Sequence, residues 1–368
     1  MGIKVCKFGG TSMADGNIIQ SAAKIVAADP ARRYVVVSAP GKRFGGDIKV
    51  TDLLYKCSEL AETGGAFEAE FSKIRTRFLN IEKEIGLDLG VEGMLDEIEE
   101  RVLRGEGRDY CASRGEYLAA RIMAAVLDVP FVDAADIVRF KADGSLDEET
   151  YALAASVLKK YARAVVPGFY GRGADGKIKT FSRGGSDISG AVLARAVKAS
   201  LYENWTDVSG FLVTDPHIVQ NPETIETITY RELRELSYMG ANVLHSESIF
   251  PVKSAGIPIR IRNTFRPEDE GTLIVATSGR RREDNVVTGI AGKKDFTVIL
   301  LEKSMMNSEI GFAAKVLEVL SRHGISFEHL PSGIDTMSVV IDNKYLENDD
   351  LGAILEEIRE AVRPDHIY

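Results

Sequence analysis

Through residue 205 the chain alternates short runs suited to β-strands with longer runs suited to α-helices. Residues 3–8, 34–38, 130–132, 164–167 and 201–205 are rich in Val, Ile and aromatic side chains and are bounded by Gly, Pro or Asp, the composition of buried strands. Between them, 17–28, 51–62, 66–85, 109–127, 148–163 and 188–198 read as helices. Strands separated by helices pair most readily in parallel. The alternation therefore predicts an α/β domain, a three-layer sandwich with helices on both faces of a mostly parallel sheet. The block 66–127 is helical throughout and is expected to form a cap beside that sheet. A turn-rich stretch at 206–216, helices over 230–239 and 246–255 and strands over 258–262 and 272–275 extend the same domain.

The pattern changes at Ser278-Gly279-Arg280-Arg281-Arg282-Glu283-Asp284-Asn285, a charged run without apolar residues that reads as a linker. Beyond it come a strand at 296–301, a helix at 311–323, strands at 325–329 and 336–341, a helix at 351–362 and the start of a last strand at 365–368. That order predicts a ferredoxin-like βαββαβ unit, with two helices on one face of an antiparallel sheet. More than one core is expected in any case, since the chain has 368 residues and single cores stop growing near ~250–300.

Composition narrows the function classes. A net charge of −9 and a pI near 5.3 argue against a general nucleic-acid surface, which needs clustered Lys and Arg. A local basic pocket could still hold an anion. Cys6, Cys57 and Cys111 are far apart and odd in number, and five histidines show no metal-ligand spacing. This suits a reducing compartment and offers neither a disulfide framework nor a zinc site. No signal pattern opens the chain and no run approaches ~20 apolar residues, so the cytoplasm is expected and a membrane is not.

Three glycine-bearing loops carry different weight. Gly171-Arg172-Gly173-Ala174-Asp175-Gly176 fits a dinucleotide fingerprint by letter, and with Lys177 nearly fits a P-loop. Strand alternation follows it rather than a helix, and Ile178 stands where Ser or Thr is required, so a hairpin turn is predicted. Lys7-Phe8-Gly9-Gly10-Thr11-Ser12 differs, because it joins the first strand to a helix. Paired glycines let backbone amides approach a phosphate, a helix N-terminus favours its charge, and Lys7 adds a cation at the carboxyl end of the strand. Phe181-Ser182-Arg183-Gly184-Gly185-Ser186-Asp187 joins a strand to a helix in the same way. Two such loops, one with Lys and one with Arg, suggest an anion held from two sides. Read alone, each could be a tight turn, and Asp187 could simply cap its helix.

Together these runs resemble the aspartate kinases of the amino-acid kinase superfamily. Ser38-Ala39-Pro40-Gly41, Val50-Thr51-Asp52, Ser113-Arg114-Gly115-Glu116, Pro167-Gly168-Phe169, Thr206-Asp207, Thr214-Asp215-Pro216 and residues 240–245 add to the likeness in the family's order, from Lys7 to about Arg262. The tail resembles an amino-acid-binding ACT module. The resemblance implies a kinase domain at 1–278, with an aspartate lobe at 1–205 and a nucleotide lobe at 206–278. It also implies a linker and opening strand of an outer ACT module at 279–295 and an ACT domain at 296–368.

The implied reaction moves the γ-phosphoryl of ATP, carried with Mg²⁺, onto the β-carboxylate of L-aspartate, the first step toward lysine, threonine and methionine. Lys7 and Asp187 would be catalytic. Ser38, Thr51, Glu116, Phe169, Arg183, Gly184, Gly185 and Ser186 would hold aspartate, with Arg183 on its α-carboxylate and Glu116 on its ammonium. Lys7, Phe8, Gly9, Gly10, Thr206, Asp207, Leu212, Asp215, His217, Asn242 and Val243 would face the nucleotide. No side chain would bind metal. Met305, Asn307, Ile310 and Gly311 would contact an effector such as lysine or threonine, and the enzyme would form a homodimer or homotetramer.

Taken on its own, Glu116 could also be a solvated helix residue, and 305–311 an ordinary loop. Leu212, His217 and Asn242 stand where the family carries Tyr, Arg and Lys, and residues 42–49 form an insertion before Thr51. A second ACT module is expected to be missing or incomplete. The rivals are an amino-acid sensor of the same fold and a related carboxylate kinase.

Overall fold

The computed structural model describes residues 2–182, 184–238, 244, 249–277, 287–346 and 351–368. It divides into two units, Met1–Ala291 and Gly292–Tyr368. The first begins with β1 (Lys4–Phe8), α1 (Gly16–Ala27) and β2 (Arg32–Val37), then runs through α2 (Val50–Glu62), α3 (Glu68–Ile85), α4 (Val91–Leu103) and α5 (Arg108–Leu127). Next come α6 (Ala134–Ile137), α7 (Glu149–Leu158), β3 (Ala164–Pro167), a hairpin of β4 (Tyr170–Arg172) and β5 (Ile178–Thr180), α8 (Gly185–Ala196) and β6 (Leu201–Thr206). The unit closes with β7 (Thr227–Thr229), α9 (Tyr230–Tyr238), α10 (Phe250–Ser254), β8 (Ile259–Asn263) and β9 (Thr272–Val275).

Seven strands form one sheet in the order β3-β2-β1-β6-β8-β9-β7. Every neighbouring pair is parallel except β8 with β9. The core strands are buried on both faces, and alternate residues feed two cores. Cys6, Phe8, Val35, Val37 and Trp205 join the apolar residues of α1 to α5 on one face. Val5, Tyr34, Val36 and Tyr202 join those around α6 to α10 on the other. Period-two alternation thus makes the three layers, and it also sets direction: Lys7, two residues after Val5, points with Val5 toward the α8 face. The loop 171–177 closes the β4–β5 hairpin, as the alternation after it predicts.

Some expected elements differ. Residues 130–132 pair with the sheet through a single bridge, Phe131 to Val165. The helix predicted over 148–163 stops at Leu158, where a turn leads into β3. Residues 287–292, expected within the opening strand of a further module, form no strand. A strand needs a neighbour along its edge, whereas Ile290 donates its N–H to Val213 and the Thr288 hydroxyl donates to Glu232. The run 278–285 lies outside the described residues.

In the second unit, β10 (Phe296–Glu302), α11 (Phe312–Arg322), β11 (Thr336–Asp342), α12 (Leu351–Val362) and β12 (His366–Ile367) give an antiparallel sheet ordered β11-β10-β12. Ile299, Leu301, Val339 and Ile341 pack under both helices. Residues 325–329 were expected to be a full strand. They contribute instead an isolated bridge from His329 to Val340, beside β11, where a ferredoxin-like sheet places its second strand.

Candidate active site

The parallel register of β1 and β6 sets Lys7 beside Asn204. The loop 181–184 delivers α8 over the same strand ends, and Lys7 Nζ meets Asp187 Oδ1 at 2.7 Å. Asn204 Nδ2 donates to that same oxygen at 2.8 Å, and the Tyr202 hydroxyl donates to the Asp187 carbonyl at 3.1 Å. Asp187 is not the N-cap considered from sequence. Gly184 takes that place, with φ of 55°, and Asp187 falls inside the first turn, where its carboxylate is free to face Lys7. The ammonium is nearly enclosed, so its position is set by the protein rather than by solvent.

The two Gly-Gly loops are shaped by close packing. Gly9 donates its N–H to the Trp205 carbonyl at 2.9 Å, and a Cβ on Gly9 would lie 3.4 Å from Lys7 Nζ. Gly185 lies under Phe169, where a Cβ would come within 2.3 Å of the ring. Phe169 itself has φ of 76°, a costly conformation for a bulky residue. Its N–H donates to Ser189 Oγ and its carbonyl accepts from Phe181, both at 2.9 Å, which holds it there. A Cβ on Gly168 would meet Ser186 Oγ at 2.6 Å. Phe169, Gly185 and Ser186 therefore come together by contact.

Glu116, on α5, is buried, and its Oε2 has no hydrogen-bond partner among the described residues. Burial pushes its carboxyl up to about 8, against the opposing pull of the Ala39 amide, Arg114 and Lys7. The result is a buried carboxyl with one unused oxygen, held near neutral range by burial against the opposing charges of Arg114 and Lys7. The helix residue is not solvated, so that bland alternative is excluded. Ser38, whose N–H donates to Phe8, and Thr51, in the first turn of α2, stand at the same carboxyl ends.

The remaining expected residues are less gathered. Thr206 ends β6 and bonds Asp207 at 3.2 Å. Leu212 bridges to Thr224, while His217, 91% exposed, pairs with Asp215 at 2.8 Å. Arg183, Asn242 and Val243 lie outside the described residues. In the second unit the Met305 amide donates to Asp335 and the Asn307 backbone amide to the Ile334 carbonyl, tying the loop expected to hold an effector to the turn before β11. Ile310 is 97% exposed and Gly311 begins α11 with φ of 82°. Among the described residues no three or more His, Cys, Asp or Glu side chains are grouped to hold a metal, and no helix is long and apolar enough to cross a membrane.

Asn204 and the Ala39 amide were not anticipated. A polar residue at the centre of an apolar strand was a signal for Asn204, but only the β1–β6 register shows what it faces. A cavity of 1130 Å³ borders the second Gly-Gly loop, lined by Tyr55, Arg108, Asp109, Ser182, Ile188 and Phe250 among others; Lys7 and Asp187 do not line it.

Residues 2–263 match the amino acid kinase family. Aspartokinase 3 of Bacillus subtilis is 37% identical over 99% of this chain and 83% of its own length. The crystal structure of the Clostridium acetobutylicum aspartate kinase, 46% identical, aligns with all of this chain and 84% of that one at a TM-score of 0.92. E. coli aspartokinase III, in its T-state complex with lysine and aspartate, is 27% identical and aligns with a TM-score of 0.74, covering 100% of this chain and 85% of its own.

Proposed function

Because this chain belongs to the amino acid kinase family and, within it, to the aspartokinases, we propose that it transfers the γ-phosphoryl group of ATP to the β-carboxylate of L-aspartate. The observation that carries this reading is the enclosed Lys7–Asp187 pair standing with Glu116, a buried carboxylate short of a partner. The nucleotide would be taken with Mg²⁺, which would offset phosphate charge; among the described residues no cluster of carboxylates is grouped to hold the ion.

A β-carboxylate oxygen attacks the γ-phosphorus. One oxygen–phosphorus bond forms, the bond to the bridging oxygen breaks, and its electrons leave on ADP. An aspartate side chain has a reference pKa of about 3.9 and is already ionised near neutral pH, so no general base is needed. What the protein must supply is position and charge. Lys7 neutralises charge on the transferring group, helped by the Gly9 and Gly10 loop. Asp187 and Asn204 aim Lys7 and keep it from wandering. Arg183 clamps the α-carboxylate through a two-pronged bond that Lys cannot reproduce. Glu116 receives the α-ammonium, and Ser38, Thr51, Phe169 and Ser186 shape the pocket. Thr206, Asp207, Leu212, Asp215, His217, Asn242 and Val243 form the nucleotide side.

The second unit serves regulation. The E. coli relative was solved with lysine, and lysine is the effector proposed for Met305, Asn307, Ile310 and Gly311. Val298, 54% exposed on the sheet face away from the helices, suits pairing with a second copy in a homodimer or homotetramer.

The test is substrate-dependent ADP release, followed with aspartate, glutamate and N-acetylglutamate in turn. Release with aspartate alone supports the reading. Release with glutamate or N-acetylglutamate at a comparable rate overturns it in favour of another carboxylate kinase, and aspartate binding without any release makes the chain a sensor.

A further inference from the structure

We propose that Arg77, on α3 of the helical cap, is a positioning residue for both substrates, acting through residues 39–50. This deepens the aspartokinase reading and rests on it. The segment leaves β2 at its carboxyl end and enters α2, and it includes the insertion 42–49. By composition it should be loose. Lys42, Arg43 and Phe44 are exposed, and a Cβ on Gly45 would meet nothing within 4 Å.

One guanidinium holds it. Arg77, 6% exposed, donates from Nη1 to the Gly41 carbonyl at 3.0 Å and to the Ala14 carbonyl at 3.4 Å. Its Nη2 donates to Asp47 Oδ2 at 2.5 Å. The Arg43 Nε and Nη2 groups take Asp47 from the other side, at 2.8 and 3.1 Å. Charge-assisted bonds to a forked cation in a buried place are both strong and directional. A long insertion is thereby tied to the body of the domain at two points, Gly41 and Asp47.

The tie reaches the site in two directions. Gly41 donates its N–H to the Gly10 carbonyl at 2.8 Å, and a Cβ on Gly41 would lie 2.6 Å from the Gly10 carbonyl carbon. The two backbones touch, so wherever Gly41 goes, the phosphate loop must follow. Ala14, the second carbonyl that Arg77 grips, lies just beyond that loop. Ala39, two residues before Gly41, packs against α5 next to Glu116, where a Cβ on Gly115 would lie 2.6 Å from the Ala39 methyl, and its amide opposes the burial that raises the Glu116 carboxyl. Pro40 accepts from Val50 at 3.3 Å, which fixes the start of the helix bearing Thr51. Arg77 therefore stands behind the nucleotide side and the aspartate side at once, touching neither.

The test compares full-length wild type with Arg77→Met, Arg77→Lys and Asp47→Asn, measuring KM for Mg-ATP, KM for aspartate, kcat and Tm. Displacing a loop by a fraction of an ångström is enough to cost about tenfold. Arg77→Met is expected to raise both KM values by about that factor and lower kcat. Lys can satisfy only part of the fork, so Arg77→Lys should recover part of the loss. Asp47→Asn, on the loop itself, should shift the same constants in the same direction, and because it leaves the buried Arg77 guanidinium without its carboxylate its Tm should fall as well. If Arg77→Met does not fold, the other two variants decide. Wild-type constants in both Asp47→Asn and Arg77→Lys, or a lowered Tm in Arg77→Met with unmoved KM values, would overturn the proposal. Those results need a wild type active toward aspartate; an inactive wild type would count against the aspartokinase reading itself.

Discussion

Lys7 faces α8 because it follows Val5 by two residues in a strand buried on both sides, and Asp187 meets it because α8 is capped at Gly184 and starts at Gly185. Replacing Lys7 by Met keeps much of the apolar stem and removes the charge. It is expected to lower kcat by about 10²–10³-fold with little change in aspartate KM, the scale seen when one preorganised electrostatic contact is lost. Glu116 gives a pH dependence whose sign is fixed. Its carboxyl sits up at about 8 in the folded protein, so below that pH it must lose a proton before it can receive an ammonium. Aspartate KM should therefore fall as pH rises from 6.5 toward 8 and level off above it. The same group stores instability. Between its ordinary range and about 8 the folded chain holds a proton that the unfolded chain has released, so stability falls as pH rises through that window. Glu116→Gln is expected to weaken aspartate binding while keeping or raising Tm at pH 8.5, measured by thermal melts at both ends of the range. Lys7, Glu116 and Asp187 were legible as residues in motifs. The hydrogen bond from Asn204 was not, because it depends on how α8 packs over the end of β6 to bring Asp187 within reach, which local pattern does not encode.

At the scale of elements, the helices and parallel strands were legible because each repeats its apolar pattern over several turns or pleats. Residues 325–329 were not, since an edge segment with one bridge has the same composition as a paired strand. The helix start at Gly185 was placed a few residues late. Asp187 has the chemistry of a cap, and only the positive φ at Gly184 moves the boundary forward. That boundary matters, because it lets Gly185 tuck beneath Phe169. Gly185→Ala would drive a methyl into the Phe169 ring and is expected to raise aspartate KM by about tenfold or more, with Phe169 released from its strained backbone. Beneath the site, β2 and β6 are joined by a buried pair, Arg32 Nε to Glu203 Oε2 at 2.7 Å, with Trp205 Nε1 donating to the same carboxylate at 3.1 Å. Burial alone would push the Glu203 carboxyl up, but the Arg32 hydrogen bonds outweigh it and hold it below its ordinary range. Arg32→Met strands that carboxylate and is expected to cost about 3–5 kcal/mol in denaturant unfolding. A loss under 1 kcal/mol would show that the pair is not what joins the strands.

Over the whole molecule, the chain divides into two units, the first packed around the two faces of its large sheet and the second around an apolar core of its own. The place of division was harder to read. Residues 287–291 carry little periodicity, and they are held by Val213 and Glu232 of the first unit rather than by any signal of their own. Separate cores make a single cooperative melt unexpected. Scanning calorimetry should give a van't Hoff enthalpy below the calorimetric one, and equality of the two would mean the units unfold as one. The central claim concerns the first unit and a specific product, an acyl phosphate of aspartate. Hydroxylamine captures such a product as a hydroxamate, so the decisive measurement is aspartyl-hydroxamate formation from L-aspartate and Mg-ATP, with Lys7→Met alongside. Hydroxamate formed with aspartate, absent with glutamate and reduced by at least about 10²-fold in Lys7→Met, is the expected result. ATP consumed without hydroxamate, or product undiminished by loss of Lys7, would contradict it.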